Sequence, residues 1–146
     1  MRSIHVTRII PAPVEEVFDL LADHAHYDRF RGITEAELLN EGEPPPNGVG
    51  AIRLVVSGPI RFEEEITGYD RPTKLDYLIV RTNSPLEHEG GHISLAPDGS
   101  ATRVDWRSEF RVPVRVIGPA MELAWLIVLS RGFRHVLEDV ERTLRT

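Results

Sequence analysis

IGPAMELAWLIVLSRGFRHVLEDVERTLRT, residues 117–146, reads as one long amphipathic helix, and the rest of the chain has to be arranged around it. Gly118-Pro119 opens it, proline being suited to a first helical position that needs no amide donor. With Leu129 as origin and about 100° per residue, Phe133, Val136, Leu137, Val140 and Leu144 fall in a stripe roughly 100° wide, the width of a core-facing surface. Arg131, Arg134, His135, Glu138, Glu141, Arg142 and Arg145 lie away from it. Carried back towards the start, the same wheel puts Trp125 and Leu126 in the stripe with Glu122 beside them, so a carboxylate is expected to face the interior. From Pro119 to Leu144 the helix would be about 39 Å long, enough to cross a small sheet.

The preceding residues supply that sheet. Ser3 to Ile10 alternates as a strand and ends at Pro11. Val14, Val17, Phe18 and Leu21 keep helical spacing, with Glu15 and Glu16 complementing the positive end of a short helix. His24–Arg31 reads as a second short helix anchored by Tyr27 and Phe30 and closed by Gly32, with His24 and His26 on the surface. Six strands then follow, at about Thr34–Asn40, Ala51–Ser57, Ile60–Tyr69, Leu75–Arg81, Leu86–Leu95 and Thr102–Val112. Turn residues separate them: Pro44-Pro45-Pro46-Asn47-Gly48, Gly58-Pro59, Asp70-Arg71-Pro72 and Pro97-Asp98-Gly99. Consecutive strands at such spacing pair antiparallel. The expected class is α+β: a curved antiparallel sheet of about seven strands wrapped on a long C-terminal helix, with two short helices after the first strand, in a single domain over residues 1–146.

Several function classes fall away. A net charge of −6 argues against a nucleic-acid backbone as partner. No apolar run approaches a membrane span, so no stable membrane insertion is expected. The absence of cysteine removes thiolate catalysis and cysteine-ligated metals and suits the cytoplasm. Hydrolase elbows, phosphate-binding loops and dinucleotide fingerprints are missing. His88-Glu89-Gly90-Gly91-His92 spells the H-E-x-x-H zinc pattern, which requires a helix. In a strand the two histidines would be about 13 Å apart, so no metal and no cofactor is expected.

Strand phase nominates the remaining candidates. The inward set of the third strand of the run is Ile60, Phe62, Glu64 and Ile66. That of the next is Leu75, Tyr77, Ile79 and Arg81, and that of the last contains Thr102, Val104, Trp106, Ser108 and Phe110. Glu87 and Glu89 would also turn inward unless the glycine pair shifts the phase. The expected site is therefore a pocket touching Phe62, Glu64, Tyr77, Arg81, Trp106, Glu122 and Trp125, with Arg81 nearest a carboxylate. Replacing Glu64 or Glu122 by leucine is expected to alter ligand binding and leave the fold intact.

Several strings, together with the order of elements, resemble the polyketide cyclase/dehydrase and lipid-transport family of the START-like helix-grip superfamily (SRPBCC). They include Ala12-Pro13 with Glu16-Val17-Phe18, Gly48-Val49-Gly50, Glu65-Ile66-Thr67 through Pro72, Leu95-Ala96-Pro97 with Gly99, and Thr102-Arg103-Val104-Asp105-Trp106. The resemblance implies a largely apolar cavity between sheet and helix for a small hydrophobic ligand, lipid-like or polyketide-like. Alternatives are an aromatase/cyclase- or dehydratase-like enzyme acting on such a ligand, and an interaction module without one. Leu123, Ile127 and Val128 form an apolar outer face, expected either to mediate a homodimer or to lie under the triple-proline loop.

Overall fold

The protein is described by a computed structural model covering residues 1–115 and 117–145. Strand β1 (Arg2–Ile10) leads into helix α1 (Val14–Leu21) and a 3₁₀ turn at His24–Arg29. Strands β2 (Glu35–Asn40), β3 (Ile52–Ser57), β4 (Ile60–Asp70), β5 (Lys74–Thr82), β6 (Glu87–Asp98) and β7 (Ala101–Arg111) come next, followed by helix α2 (Gly118–Leu144). Thr146, the expected last helical residue, lies outside the described residues.

The strands form one curved antiparallel sheet in the order β1-β7-β6-β5-β4-β3-β2. Each hairpin-connected strand lies beside its predecessor, and β7 closes back on β1. Two-residue turns at Gly58-Pro59 and Gly99-Ser100 set the registers of the β3–β4 and β6–β7 hairpins, pairing Ser57 with Ile60 and Asp98 with Ala101.

The core lies where periodicity puts it. Val14, Val17, Phe18 and Leu21 of α1 are buried, as are Thr102, Val104, Trp106, Ser108 and Phe110 of β7. Tyr27 and Phe30 anchor the 3₁₀ turn, their rings meeting edge to face at 5.0 Å. The C-terminal half of α2 is seated through Val136, Leu137 and Val140. Side chains of that size contribute about 1.5–3 kcal/mol each when fully buried.

The front half of α2 behaves differently. Trp125, Leu126 and Leu129 are only half-buried, and Leu123, Ile127 and Val128 are exposed. The triple-proline loop does not cover them. It folds on itself, Gly48 N–H donating to Pro44 O and Gly42 N–H to Pro46 O, and it joins the sheet through Gly50 N–H to Ile66 O. His24 is likewise not on the surface. The turn aims its ring into the interior while His26 stays out, so the pair is split between core and solvent.

Bulges break two of the expected strand phases. In β4–β5, Glu63 pairs with Arg81 but Glu64 pairs with Ile79, so Val80 is an extra residue and everything beyond it changes face. In β6–β7, His88 pairs with Phe110 and Gly90 with Glu109, leaving Glu89 extra; Gly90 supplies φ 136, which a side chain would resist. The second bulge keeps Glu87 and Glu89 outside and brings His88 in.

Candidate functional site

Between α2 and the sheet lies a cavity of about 240 Å³. Phe62 of β4, Tyr77 of β5 and Trp106 of β7 wall it from the sheet; Trp125, Leu129, Phe133 and Val136 wall it from α2. Trp106 stacks on Phe133 with centroids 4.1 Å apart and planes 10° apart, and Phe62 meets Trp125 edge-on at 6.4 Å. Such ring pairs contribute about 0.5–1.5 kcal/mol beyond the area they bury. Tyr27, Arg31, Ser57, Glu64, Arg131 and His135 are the polar residues of the remaining lining.

Five residues of the sequence-derived set, Phe62, Glu64, Tyr77, Trp106 and Trp125, line this cavity. Two do not. Arg81 follows the Val80 bulge, so its side chain is 79% exposed and lies 3.8 Å from Glu63 on the outside of the sheet. Glu122 does face the sheet, but one helical turn too early: its Oε2 accepts the Val112 N–H at 3.0 Å and its Oε1 is 3.8 Å from Arg2 Nε. It therefore caps the end of the sheet, where β7 has run out of partners.

The cation that Glu64 requires is Arg53. Its Nε donates to Glu64 Oε1 at 2.7 Å, and the residue is 1% exposed. Arg53 stands behind Glu64 and does not itself line the cavity. Its guanidinium also lies 4.5 Å from the Tyr27 ring centroid and 5.1 Å from that of Tyr77, desolvated cation–π contacts each worth about 2 kcal/mol. Burial works against the Arg53 charge, but Tyr27, Glu64 and Tyr77 outweigh it and hold the group above the ordinary arginine value. A second Arg53 nitrogen, Nη1, donates to His24 Nδ1 at 3.1 Å, and His24 Nε2 in turn donates to Asn47 O at 3.0 Å. Those two bonds require neutral His24 with its proton on Nε2. Burial first, then the Arg53 charge, push its pKa down to about 3.

A hairpin count would have found Arg53. The Gly58-Pro59 turn pairs Ser57 with Ile60, and stepping four residues back and four forward pairs Arg53 with Glu64. An arginine inside Ile52-Arg53-Leu54-Val55-Val56 is itself a signal, since a charge in an apolar strand needs a partner. Nothing local marks His24 as that arginine's neighbour.

Tyr77 accepts a hydrogen bond from Trp106 Nε1–H at 2.9 Å, and burial raises its pKa. Its ring lies against Gly91, where an added Cβ would come within 2.2 Å of Cζ, and it stacks on His88 at 5.5 Å. His88 Nδ1 accepts the Ile79 N–H at 2.9 Å, and His88 Nε2 is 2.8 Å from Ser108 Oγ. The first bond fixes the neutral tautomer with hydrogen on Nε2, so His88 donates to Ser108 and is not placed to take its proton. A serine–histidine nucleophile is thereby excluded as drawn. Burial lowers the His88 pKa to about 4. His92 sits on the outer face against Asp76 at 3.0 Å, so the two histidines of H-E-x-x-H point to opposite sides of β6 and do not converge on one ion.

A family model described as polyketide cyclase / dehydrase and lipid transport matches residues 1–145. The chain belongs to this family. Solved structures of similar fold include a protein of Thermus thermophilus, at TM-score 0.80 and 17% identity, the match covering 98% of this chain and 97% of that one. A START superfamily protein from Mycobacterium smegmatis superposes with TM-score 0.78 at 12% identity, over 98% and 97% of the two chains. DynU16, a protein of the dynemicin biosynthetic locus, matches at TM-score 0.67 and 20% identity over 99% of this chain and 47% of its own. At these identities the likeness is one of fold, the helix-grip arrangement of the START-like superfamily. A search of curated proteins finds no match. No described helix of this family member is long and apolar enough to cross a membrane.

Proposed function

We propose that this protein binds a small, largely apolar molecule in the cavity between its sheet and α2. One observation carries the reading: about 240 Å³ of space, walled by aromatic and aliphatic side chains with Glu64 and Tyr77 among them, stands where a packed domain would place more side chains. The half-buried front of α2 follows from it, because the helix there lies over space. Membership in a lipid-transport and polyketide cyclase family supports the same assignment, and the lack of cysteine supports action in the cytoplasm.

Native mass spectrometry of the purified protein is the test. A stoichiometric co-purifying small molecule, displaced when the cavity is filled by Val136→Trp, supports the proposal. A homogeneous apo mass, together with no binding of any apolar probe, counts against it.

A second reading, an enzyme of the cyclase or dehydratase kind acting on the same ligand, is favoured by one feature: Glu64 keeps an oxygen free beside the cavity, and a carboxylate so placed could move a proton. Turnover of the co-purifying molecule separates the two. The exposed face at Leu123, Ile127 and Val128 supports a homodimer as the further partner, the proline loop being elsewhere.

A further inference from the structure

The polar groups that Arg53 leaves available narrow the ligand's chemistry, an inference that rests on the ligand-binding reading above. Glu64 Oε1 is taken by Arg53, and no described residue donates to Oε2. Among the described residues no fully buried side-chain oxygen lacks a partner, so Oε2 is reachable, and Glu64 lines the cavity. The carboxylate therefore offers an acceptor. Tyr77 offers the complement: its oxygen accepts from Trp106, and its own hydrogen has no acceptor among the described residues.

Charge then decides what fits. Arg53 neutralises Glu64 from behind and does not line the cavity. The two arginines that do, Arg31 and Arg131, are exposed, and Arg31 is already paired with Glu138 and Asp139. A ligand anion beside Glu64 would therefore meet a carboxylate with no buried cation to offset it. A ligand ammonium could donate to Oε2 but could not accept from Tyr77, and it would meet an already neutralised carboxylate. A hydroxyl does both jobs, donating to one group and accepting from the other. The walls add shape: Trp106, Phe133, Phe62 and Trp125 present ring faces and edges, which suit a ring. The space exceeds the roughly 150 Å³ that takes up benzene, so one or two fused rings fit.

We infer that the cavity takes a neutral phenol or ring alcohol of one to two rings, its hydroxyl held between Glu64 Oε2 and the Tyr77 hydroxyl. The ligand's apolar edge then faces α2, and its polar group faces the sheet.

The test is a matched set of two-ring probes titrated into the full chain by calorimetry: indane, 5-indanol, indane-5-carboxylate and 2-aminoindane, which is cationic at neutral pH. The expected result is 5-indanol tighter than indane by about tenfold, the gain of one or two satisfied hydrogen bonds, with both charged probes weaker than indane. In Tyr77→Phe the ratio of 5-indanol to indane affinity should collapse towards one, circular dichroism reporting that the fold is kept. Indane binding as tightly as 5-indanol, either charged probe binding more tightly than 5-indanol, or an undiminished ratio in folded Tyr77→Phe would overturn the inference and leave the cavity reading standing. No binding by any of the four would overturn the cavity reading itself and the inference with it.

Discussion

Arg53 and Glu64 face each other directly across the β3–β4 ladder, Nε to Oε1 at 2.7 Å, and this pair makes a charged cavity wall tolerable. Taking either ion out of water costs several kcal/mol, which the partner, the aromatic rings and His24 offset together. The expectation that Glu64→Leu spares the fold is therefore revised. With Arg53 fully buried behind it, that substitution leaves an uncompensated charge and should cost about 3–5 kcal/mol. The double variant Arg53→Met/Glu64→Leu removes both charges and should recover most of the loss. Urea midpoints of the single and double variants check this, and equal stability of Glu64→Leu and the parent would refute it.

Acid should destabilise the protein earlier than its carboxylates require. His24 and His88 are held at about 3 and about 4, below the 6.5 of an unfolded histidine, chiefly by burial. The unfolded chain therefore binds their protons first, and stability present above pH 6.5 is lost as the pH falls towards 4 and 3. While a histidine titrates only in the unfolded chain, the slope is about 1.4 kcal/mol per pH unit. Asp105, held at about 2 by Arg103, adds to the loss only below about pH 4, where an unfolded aspartate protonates. Urea midpoints at pH 7, 6, 5 and 4 should fall continuously, and His24→Gln should flatten that slope whatever it does to stability at pH 7.

Gly91 is a seat for a ring. An alanine methyl there would overlap Tyr77 Cζ, so Gly91→Ala must push the ring off the strand, at an overpacking cost of about 1–3 kcal/mol. Near-ultraviolet circular dichroism should change with it, because the displaced Tyr77 carries the bond from Trp106. Gly99→Ala, at a turn with open space around it, should leave that spectrum unaltered.

The apolar face of α2 should drive self-association. Ile127 is 61% exposed with Leu123 and Val128 beside it, and no described part of the chain covers them. Sedimentation equilibrium is expected to show a concentration-dependent dimer that Leu123→Glu/Ile127→Glu converts to monomer. A parent protein that stays monomeric at millimolar concentration would remove this partner.

Residue order by itself determined the elements and most of their inner faces. Backbone geometry imposes periods of 2 and 3.6, and an apolar stripe at either period has one low-energy side, so Phe62, Glu64, Tyr77, Trp106 and Trp125 could be assigned to the interior without coordinates. The hairpin turn also encoded the Arg53–Glu64 pairing, since a two-residue loop leaves one register.

Arg81, Glu122 and His24 were decided by the tertiary structure alone. A strand's phase holds only between bulges, and the bulge at Val80 answers to the bending of a sheet around α2, which no residue near Arg81 reports. A helical wheel keeps the angle and discards the rise, so it aimed Glu122 correctly and could not say that its turn overhangs the end of β7 and misses the cavity. His24 became a buried neutral ring because a residue 29 positions away in sequence needed an acceptor. Contacts between distant parts of a chain form only when the whole sheet closes, and it is at that closure that an apolar periodicity became a cavity with a hydrogen-bond acceptor and a donor in its wall.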